Sequence, residues 1–241
     1  MRFMSLFLLL CLNLNAYAEQ PLENPYATSY TKRVDAAPNK TPVAEVKIFK
    51  GQDRDADYLR LLEDGYDMLG TSSFKAGVVP PPDQAVAQAR TVNADVVLVY
   101  TNRFGKVPDA VKMDAARNKL RKEVTGDGVQ ETRAVGNMEY SFEYLATYWS
   151  KLPLPALGLH VRDRADSDKA AGVPVVAVIK ASPAAAANIR RGDAVLKIGE
   201  IETNSGDDLV KAVMAQRGKT VEVAWSRDGS VMRTPVTLGA P

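Results

Sequence analysis

The side chains that could carry catalytic chemistry are few, because the chain contains one histidine and one cysteine. A serine hydrolase needs a histidine base beside a serine nucleophile. His160 lies in an apolar segment, and the chain has no Gly-x-Ser-x-Gly motif. A Ser-Lys dyad has no local spacing by which a sequence would reveal it. We therefore expect no catalytic residue, and read His160 as a strand residue.

Metal ligation would depend almost entirely on carboxylates, since Cys11 lies in an N-terminal segment that we expect to be removed. Asp163, Asp166 and Asp168 lie close together, but arginines and a lysine interleave them. This pattern favours a solvated loop over a calcium loop. We expect neither a metal nor a cofactor.

The composition sets the class of protein. A chain of 241 residues with 46% apolar residues can bury a core and form one or two domains. Its 31 basic and 29 acidic residues give a net charge of +2. This balance provides no argument for nucleic acid as a partner.

Residues 1–18 have the layout of a secretory signal peptide. An arginine precedes a short apolar core, and Ala16-Tyr17-Ala18 forms an A-x-A cleavage site. The alternative is a lipoprotein signal ending at Cys11, but Leu10 stands where processing requires a small residue. The pattern predicts export to the periplasm or secretion, with cleavage after Ala18.

The first half predicts a small α/β layer domain over residues 43–152, after an extended leader over 19–42. We expect a strand in "PVAEVKIFK", a helix in "DRDADYLRLLEDG" capped by Asp53, and a short strand in "YDMLG". A loop "TSSFKAGVVPPP", a helix in "DQAVAQART" ended by Asn93, and a buried strand Val96–Tyr100 follow. The aromatic-rich "EYSFEYLATYW" predicts a further strand.

Two features of this half could contact ligands. Residues 103–138 form a basic insertion in which Lys112–Lys122 could touch an anionic membrane surface, although a solvated helix is the favoured interpretation. A small polar-aromatic cluster follows the short strand. Ligand sites of α/β proteins often lie at such a position, but the favoured interpretation of this cluster is a structural turn. That cluster comprises Tyr66, Gly70, Ser72, Ser73 and Phe74.

The second half begins after Pro153 and Pro155, where we place the domain boundary. In "SPAAAANIRRGDAVLKIGE", Ser182 can cap a helix, Asn188 can take the positive φ that ends it, and Gly192-Asp193 turns the chain into a strand. A helix in "SGDDLVKAVMAQRG" and a hairpin at Asp228-Gly229 follow. These signals predict a strand-rich barrel with two helices, so the whole chain is expected to be α+β.

The segments "VVAVIKASPAAAANIRRGDAVLKIGE" and "DDLVKAVMAQRGKTVEVAWSRDG" resemble a PDZ domain of the bacterial, circularly permuted kind, over residues 153–241. Asn188 and Gly199-Glu200 depart from the usual family residues but still supply left-handed turns. The first half is similar to an uncharacterised α/β domain that precedes PDZ domains in some bacterial envelope proteins, which implies no chemistry.

The PDZ resemblance implies a peptide site. A peptide carboxylate would bind the loop Leu157, Gly158 and Leu159, and the peptide would extend along a groove lined by His160, Val161, Leu209, Val210 and Val213. A bulky residue at position 158 is expected to weaken binding while leaving most of the fold intact.

Two functions from different classes are therefore considered. The first is a non-catalytic periplasmic protein whose PDZ domain binds peptide C-termini or exposed segments of partner proteins by strand addition. The alternative is an unrecognised hydrolase, or an inactive relative of PDZ-containing proteases, with a site in the α/β domain. The missing nucleophile–base pair favours the first.

Overall fold

The computed structural model describes residues 23–34, 43–77, 79–106, 109, 112–113, 140–165 and 171–240. Within these residues each half of the chain builds one β-sheet, accompanied by short helices. This arrangement confirms the mixed α+β class predicted from the sequence. The predicted signal peptide and most of the basic insertion, including nearly all of Lys112–Lys122, lie outside the described residues, as do Asp166 and Asp168.

The N-terminal sheet has five strands in the order β1-β3-β5-β4-β2. Strand β2 runs parallel to β4, whereas β5 pairs antiparallel with both β3 and β4. The strands are β1 (Tyr30–Lys32), β2 (Lys47–Lys50), β3 (Tyr66–Ala76), β4 (Val96–Lys106) and β5 (Tyr140–Lys151).

Three helices pack on this sheet: α1 (Pro25–Thr28), α2 (Arg54–Glu63) and α3 (Pro82–Thr91). The Asp53 side chain caps α2 as predicted, because it accepts hydrogen bonds from the amides of Asp55 and Ala56, both at 3.0 Å. Asn93 follows α3 with φ of 58°, which is the left-handed conformation expected at that position.

Both faces of the N-terminal sheet are covered. Val97 belongs to the core formed with α1 and α3, and its neighbours Val96 and Leu98 belong to the core formed with α2. Successive side chains of a strand point to opposite faces. The apolar run in β4 is therefore buried on both sides, as the sequence predicted.

The sequence predictions for β3 and the leader were partly wrong. Strand β3 continues to Ala76, through the segment that was predicted to be a loop, because β5 pairs along its length and β1 pairs with its other edge. Ser72 is buried there, and its hydroxyl donates to the Tyr26 carbonyl at 2.6 Å. The leader is not extended throughout, since it contains α1 and β1 and buries Tyr26.

The C-terminal sheet follows the order β11-β10-β8-β7-β6, and β9 pairs with β8. Two helices accompany it, α4 (Pro183–Ala186) and α5 (Gly206–Ala215). The strands are β6 (Leu159–Val161), β7 (Val173–Val178), β8 (Ala194–Ile198), β9 (Ile201–Glu202), β10 (Thr220–Arg227) and β11 (Ser230–Thr237). The strand-rich architecture with two helices is confirmed in this part of the chain, and β6 and β11 are at the two ends of the strand order.

The turns of this half have the predicted chemistry. The Ser182 hydroxyl caps α4 by accepting from the Ala185 amide at 3.2 Å, and Asn188 has φ of 61°. Asp228 and Gly229 both have positive φ, at 50° and 82°, as a two-residue hairpin turn of type I′ requires.

A buried carboxylate holds the turn before β8. Asp193 is 2% exposed and accepts from Arg227 Nε at 2.7 Å and from Arg227 Nη2 at 2.8 Å. The same carboxylate accepts from the Arg190 amide at 2.7 Å. These contacts fully pair the buried charge, so the Gly192-Asp193 motif serves structure rather than ligand binding.

The two sheets contact each other through α2 and β7. The Lys180 amide donates to the Glu63 carbonyl at 2.8 Å, and Lys180 Nζ lies 2.6 Å from Asp64 Oδ1. Val176 and Ala177 of β7 join the apolar core under α2. The second half therefore packs on the first.

Candidate functional site

The predicted carboxylate loop, Leu157 to Leu159, leads into β6, of which Leu159 is the first residue. Leu157 is 4% exposed and belongs to the core of the C-terminal half. Gly158 has φ of 91°, a conformation that other residues rarely adopt. A Cβ at this position would lie 2.2 Å from the Ser182 Cβ, so the packing against α4 also requires glycine.

The backbone of this loop is oriented by its carbonyl groups. The Leu157 carbonyl accepts from the Ala184 amide, and the Gly158 carbonyl accepts from the Ile179 amide, both at 2.9 Å. Within the described part of the chain, the amides of Leu157 and Gly158 donate to no acceptor. Two consecutive amides without partners are an arrangement that can bind an anion.

The predicted groove would lie between β6 and the start of α5, which are adjacent in the structure. A Cβ on Gly206, the first residue of α5, would lie 3.8 Å from the Val161 side chain. The Gly206 amide donates to Asp163 Oδ1 at 3.0 Å, which ties the end of β6 to the start of α5. Residues four and seven positions along a helix share one face. Val210 and Val213 therefore lie on the same face as Gly206, toward β6.

The groove residues predicted from the sequence differ in burial. Leu209 is 4% exposed and belongs to the core, whereas Val210 is 58% exposed. Leu159, Val161 and Val213 are partly buried against that core. Leu209, Leu159, Val161 and Val213 thus belong to one apolar core, whereas Val210 is largely exposed.

The placement of the His160 side chain corrects the sequence prediction. Leu159 and Val161 point into the C-terminal core, so His160 between them points to the opposite face. Its ring lies near Asp67, Arg33 and the Leu62 carbonyl. Only the backbone of His160 can contribute to the groove, because its side chain faces the N-terminal half.

Burial lowers the pKa of His160 below its ordinary value of 6.5. The Asp67 carboxylate and the Leu62 carbonyl oppose this shift in part by favouring the charged ring, while Arg33 adds to the lowering. His160 is therefore neutral at pH 7.

Arg217 stabilises the C-terminal segment that packs beside this loop. This contact was not predicted from the sequence. The Arg217 guanidinium donates to the carbonyls of Gly239 and Ala240, and the Gly239 amide donates to the Ala156 carbonyl at 2.8 Å. The C-terminal segment is thereby held against the residue that precedes Leu157. No local pattern signals this contact, since it joins residues that are far apart in the sequence.

The N-terminal half contains a separate cavity of about 150 Å³ beside α2. Thr147 lies in its lining, and its hydroxyl accepts from Trp149 Nε1 at 2.8 Å. The other lining residues are Arg54, Asp55, Tyr58, Tyr100, Leu145 and Trp149. The predicted polar-aromatic cluster lies elsewhere, within or at the start of strand β3, and Ser72 of that cluster is buried.

Among the residues that the structure describes, no three His, Cys, Asp or Glu side chains are grouped as a metal site would require. No helix in the same residues has the length and apolarity needed to span a membrane.

Comparison with known proteins identifies the second half. The PDZ domain family matches residues 155–238. No curated protein sequence matches the chain.

Solved structures include the HtrA3 PDZ domain bound to a phage-derived ligand (FGRWV), which is 18% identical with a TM-score of 0.31. That match covers 34% of this chain and 82% of the other. The HtrA-type protease AlgW with decapeptide is 16% identical, with a TM-score of 0.33. It is matched over 44% of this chain and 43% of its own. The family match and the sheet with its two helices agree, and residues 155–238 therefore form a PDZ domain.

Proposed function

We propose that this chain is a non-catalytic periplasmic protein whose PDZ domain binds the C-termini of peptides or partner proteins by strand addition. The unpartnered amides of Leu157 and Gly158 carry the proposal, because they can donate to a terminal carboxylate. The carbonyls of both residues are already bonded to neighbouring segments, which holds the two amides in place before a ligand arrives.

The peptide would pair with the edge of β6 that β7 does not occupy, and it would run antiparallel to β6. Its terminal apolar side chain would lie between β6 and α5, against Val210 and Val213. A short added strand buries little apolar area, so we expect a dissociation constant on the order of micromolar.

The periplasmic location rests on the signal-like N-terminus with Ala16-Tyr17-Ala18. The non-catalytic role is supported by the position of His160, the only histidine of the chain. Its ring lies near Asp67 and Arg33 of the N-terminal half, and burial lowers its pKa. The N-terminal half would then serve as a support for the PDZ domain.

Titration of the chain with two decapeptides tests this proposal. Both end in valine, and one has a free carboxylate while the other is amidated. We expect amidation to weaken binding by about tenfold or more, about 1.4 kcal/mol, because it removes the charge that the amides would hold. Equal affinities would contradict recognition of a C-terminus and indicate that the groove takes internal segments.

A further inference from the structure

A β-bulge in the PDZ domain determines which side chains face the N-terminal half. Leu159 is opposite Val178 and His160 is opposite Ala177, but Val161 is opposite Val175. Val176 is therefore the extra residue of the bulge. Because residues opposite each other share a face of the sheet, His160 and Ala177 lie on one face and the flanking pairs lie on the other.

The bulge thus gives the PDZ domain a docking face made of His160, Val176 and Ala177. Val176 and Ala177 pack in the core that contains Leu62 and Trp149 of the N-terminal half. The same strand β6 that carries His160 on this docking face presents its free edge to the proposed peptide. Any shift of the docking face therefore moves the strand on which the peptide would pair.

The docking face holds a neutral imidazole in a site that does not suit a charged one. The ring lies near the Leu62 carbonyl of α2, and its Nε2 atom is buried and has no hydrogen-bond partner among the described residues. Of the charged groups facing it, β3 contributes Asp67 and the segment after β1 contributes Arg33. On β7 the residue opposite is Ala177, which has no titratable group.

The charged ring carries an N–H on both nitrogens, and the Nε2 atom is buried without a hydrogen-bond partner among the described residues. Asp67 is the nearest carboxylate, but both its oxygens already accept from Arg33, each at 2.7 Å. A protonated ring would have to compete with Arg33 for Asp67 or leave the interface, and burying an unpaired charge is costly.

We propose that His160 positions β6 for peptide binding by docking it on the N-terminal half, and that protonation of this histidine releases the docking. The proposal rests on the peptide-binding function proposed above. Burial lowers the pKa of His160 in the docked state, so protons favour the undocked state. The docking is complete above pH 6.5 and is lost as the pH falls through the lowered pKa.

The docking can be measured without any peptide. His160 is the only histidine, so NMR of the untagged full chain follows its titration without ambiguity. The Lys180 amide, bonded to the Glu63 carbonyl across the interface, reports docking through its hydrogen-exchange protection factor. The Val175 amide, bonded to the Asp193 carbonyl within the PDZ domain, is the matched control.

We expect His160 to titrate below 6.5 and the protection of Lys180 to fall over the same pH range while that of Val175 is kept. The free-carboxylate decapeptide should bind about threefold or more weakly at pH 5.5 than at pH 7.5. His160→Phe, which keeps a ring without a titratable group, and His160→Gln should both remove this pH dependence.

Two results separate the proposals. Failure of the peptide to bind at pH 7.5 would contradict the proposed function and, with it, the role of His160 in positioning β6. Alternatively, the peptide could bind with a pH dependence that persists in both His160 variants, while the protection of the Lys180 amide does not change with pH. That result would contradict only the proposed link between His160 protonation and docking.

Discussion

At the residue scale, Gly158 has a structural role that the sequence prediction underestimated. The expectation that a bulky residue there would affect binding but spare the fold is not compatible with the structure, because a Cβ would overlap the buried Ser182 side chain. A loss of binding in such a variant could result either from a changed binding site or from a destabilised fold. Modification of the peptide, rather than of this glycine, is therefore the cleaner test.

The cost of a side chain at position 158 can be measured against a matched glycine. Gly192 also has φ of 91°, but a Cβ there would meet nothing within 4 Å. Gly192→Ala should lower the free energy of unfolding by about 1–2 kcal/mol through backbone strain alone. Gly158→Ala should lower it by about 1–3 kcal/mol more, because of the overlap with Ser182. Urea denaturation measures both, and equal losses would contradict the packing argument.

At the element scale, the groove depends on how α5 and β6 face each other. Val210 on α5 is 58% exposed, so it contributes little to the core. Val231 on β11 is 52% exposed and has no part in the groove. Substituting lysine at each valine therefore distinguishes the loss of an apolar contact with the peptide from a general effect of added surface charge on affinity.

Val210→Lys should weaken binding of the free-carboxylate decapeptide by about fivefold or more, because the peptide side chain loses an apolar contact. Its thermal stability should stay close to that of the wild type, since the position is exposed. Val231→Lys should change neither property. Calorimetric titration and thermal melts check this prediction, and equal affinities for the two variants would place the peptide elsewhere.

Elements with local signals were predictable from the sequence. Ser182, Asn188 and Asp228-Gly229 act through their own side chains or backbone angles, and their neighbours in sequence suffice to identify the turns. The extension of β3 was not predictable in this way. Ser72 and Ser73 resemble loop residues locally, but pairing with β5 keeps them in a strand, and Tyr26 gives Ser72 its acceptor.

The candidate site was predictable in part. The loop Leu157–Leu159 and the faces of β6 and α5 follow from the order of motifs in the PDZ resemblance. The orientation of the His160 side chain follows instead from packing between the two halves and the bulge at Val176, which depends on strand pairing. Arg217 was also missed, because its partners come from the distant end of the chain.

At the scale of the whole molecule, the PDZ domain is docked on the N-terminal half through β7 and the turn that follows. Ala177 is 1% exposed and Ile179 is 7% exposed, and the core under α2 includes Ala177. A Cβ on Gly65, at the end of α2, would lie 3.3 Å from the Ile179 side chain. Part of the apolar surface of the PDZ domain is therefore buried by the N-terminal half.

The fragment 153–241 should fold alone, because it contains its own core, but it should be less stable than in the full chain. Loss of the contacts at Val176, Ala177 and Ile179 exposes apolar surface worth about 2 kcal/mol. A cooperative thermal melt at a lower temperature than that of the full chain is the expected result. Absence of a cooperative melt would show that the domain boundary at residue 153 is wrong.

The most direct test of the account is to observe the amides that are proposed to bind the carboxylate. In ¹H–¹⁵N NMR spectra of the full chain, addition of the free-carboxylate decapeptide should shift the amide protons of Leu157 and Gly158 downfield, because a charge-assisted hydrogen bond deshields the donated proton. The amidated decapeptide, at the same fraction bound, should leave both resonances nearly unchanged. Binding of the free peptide without a shift at these two amides would contradict the claim that this loop holds the C-terminus.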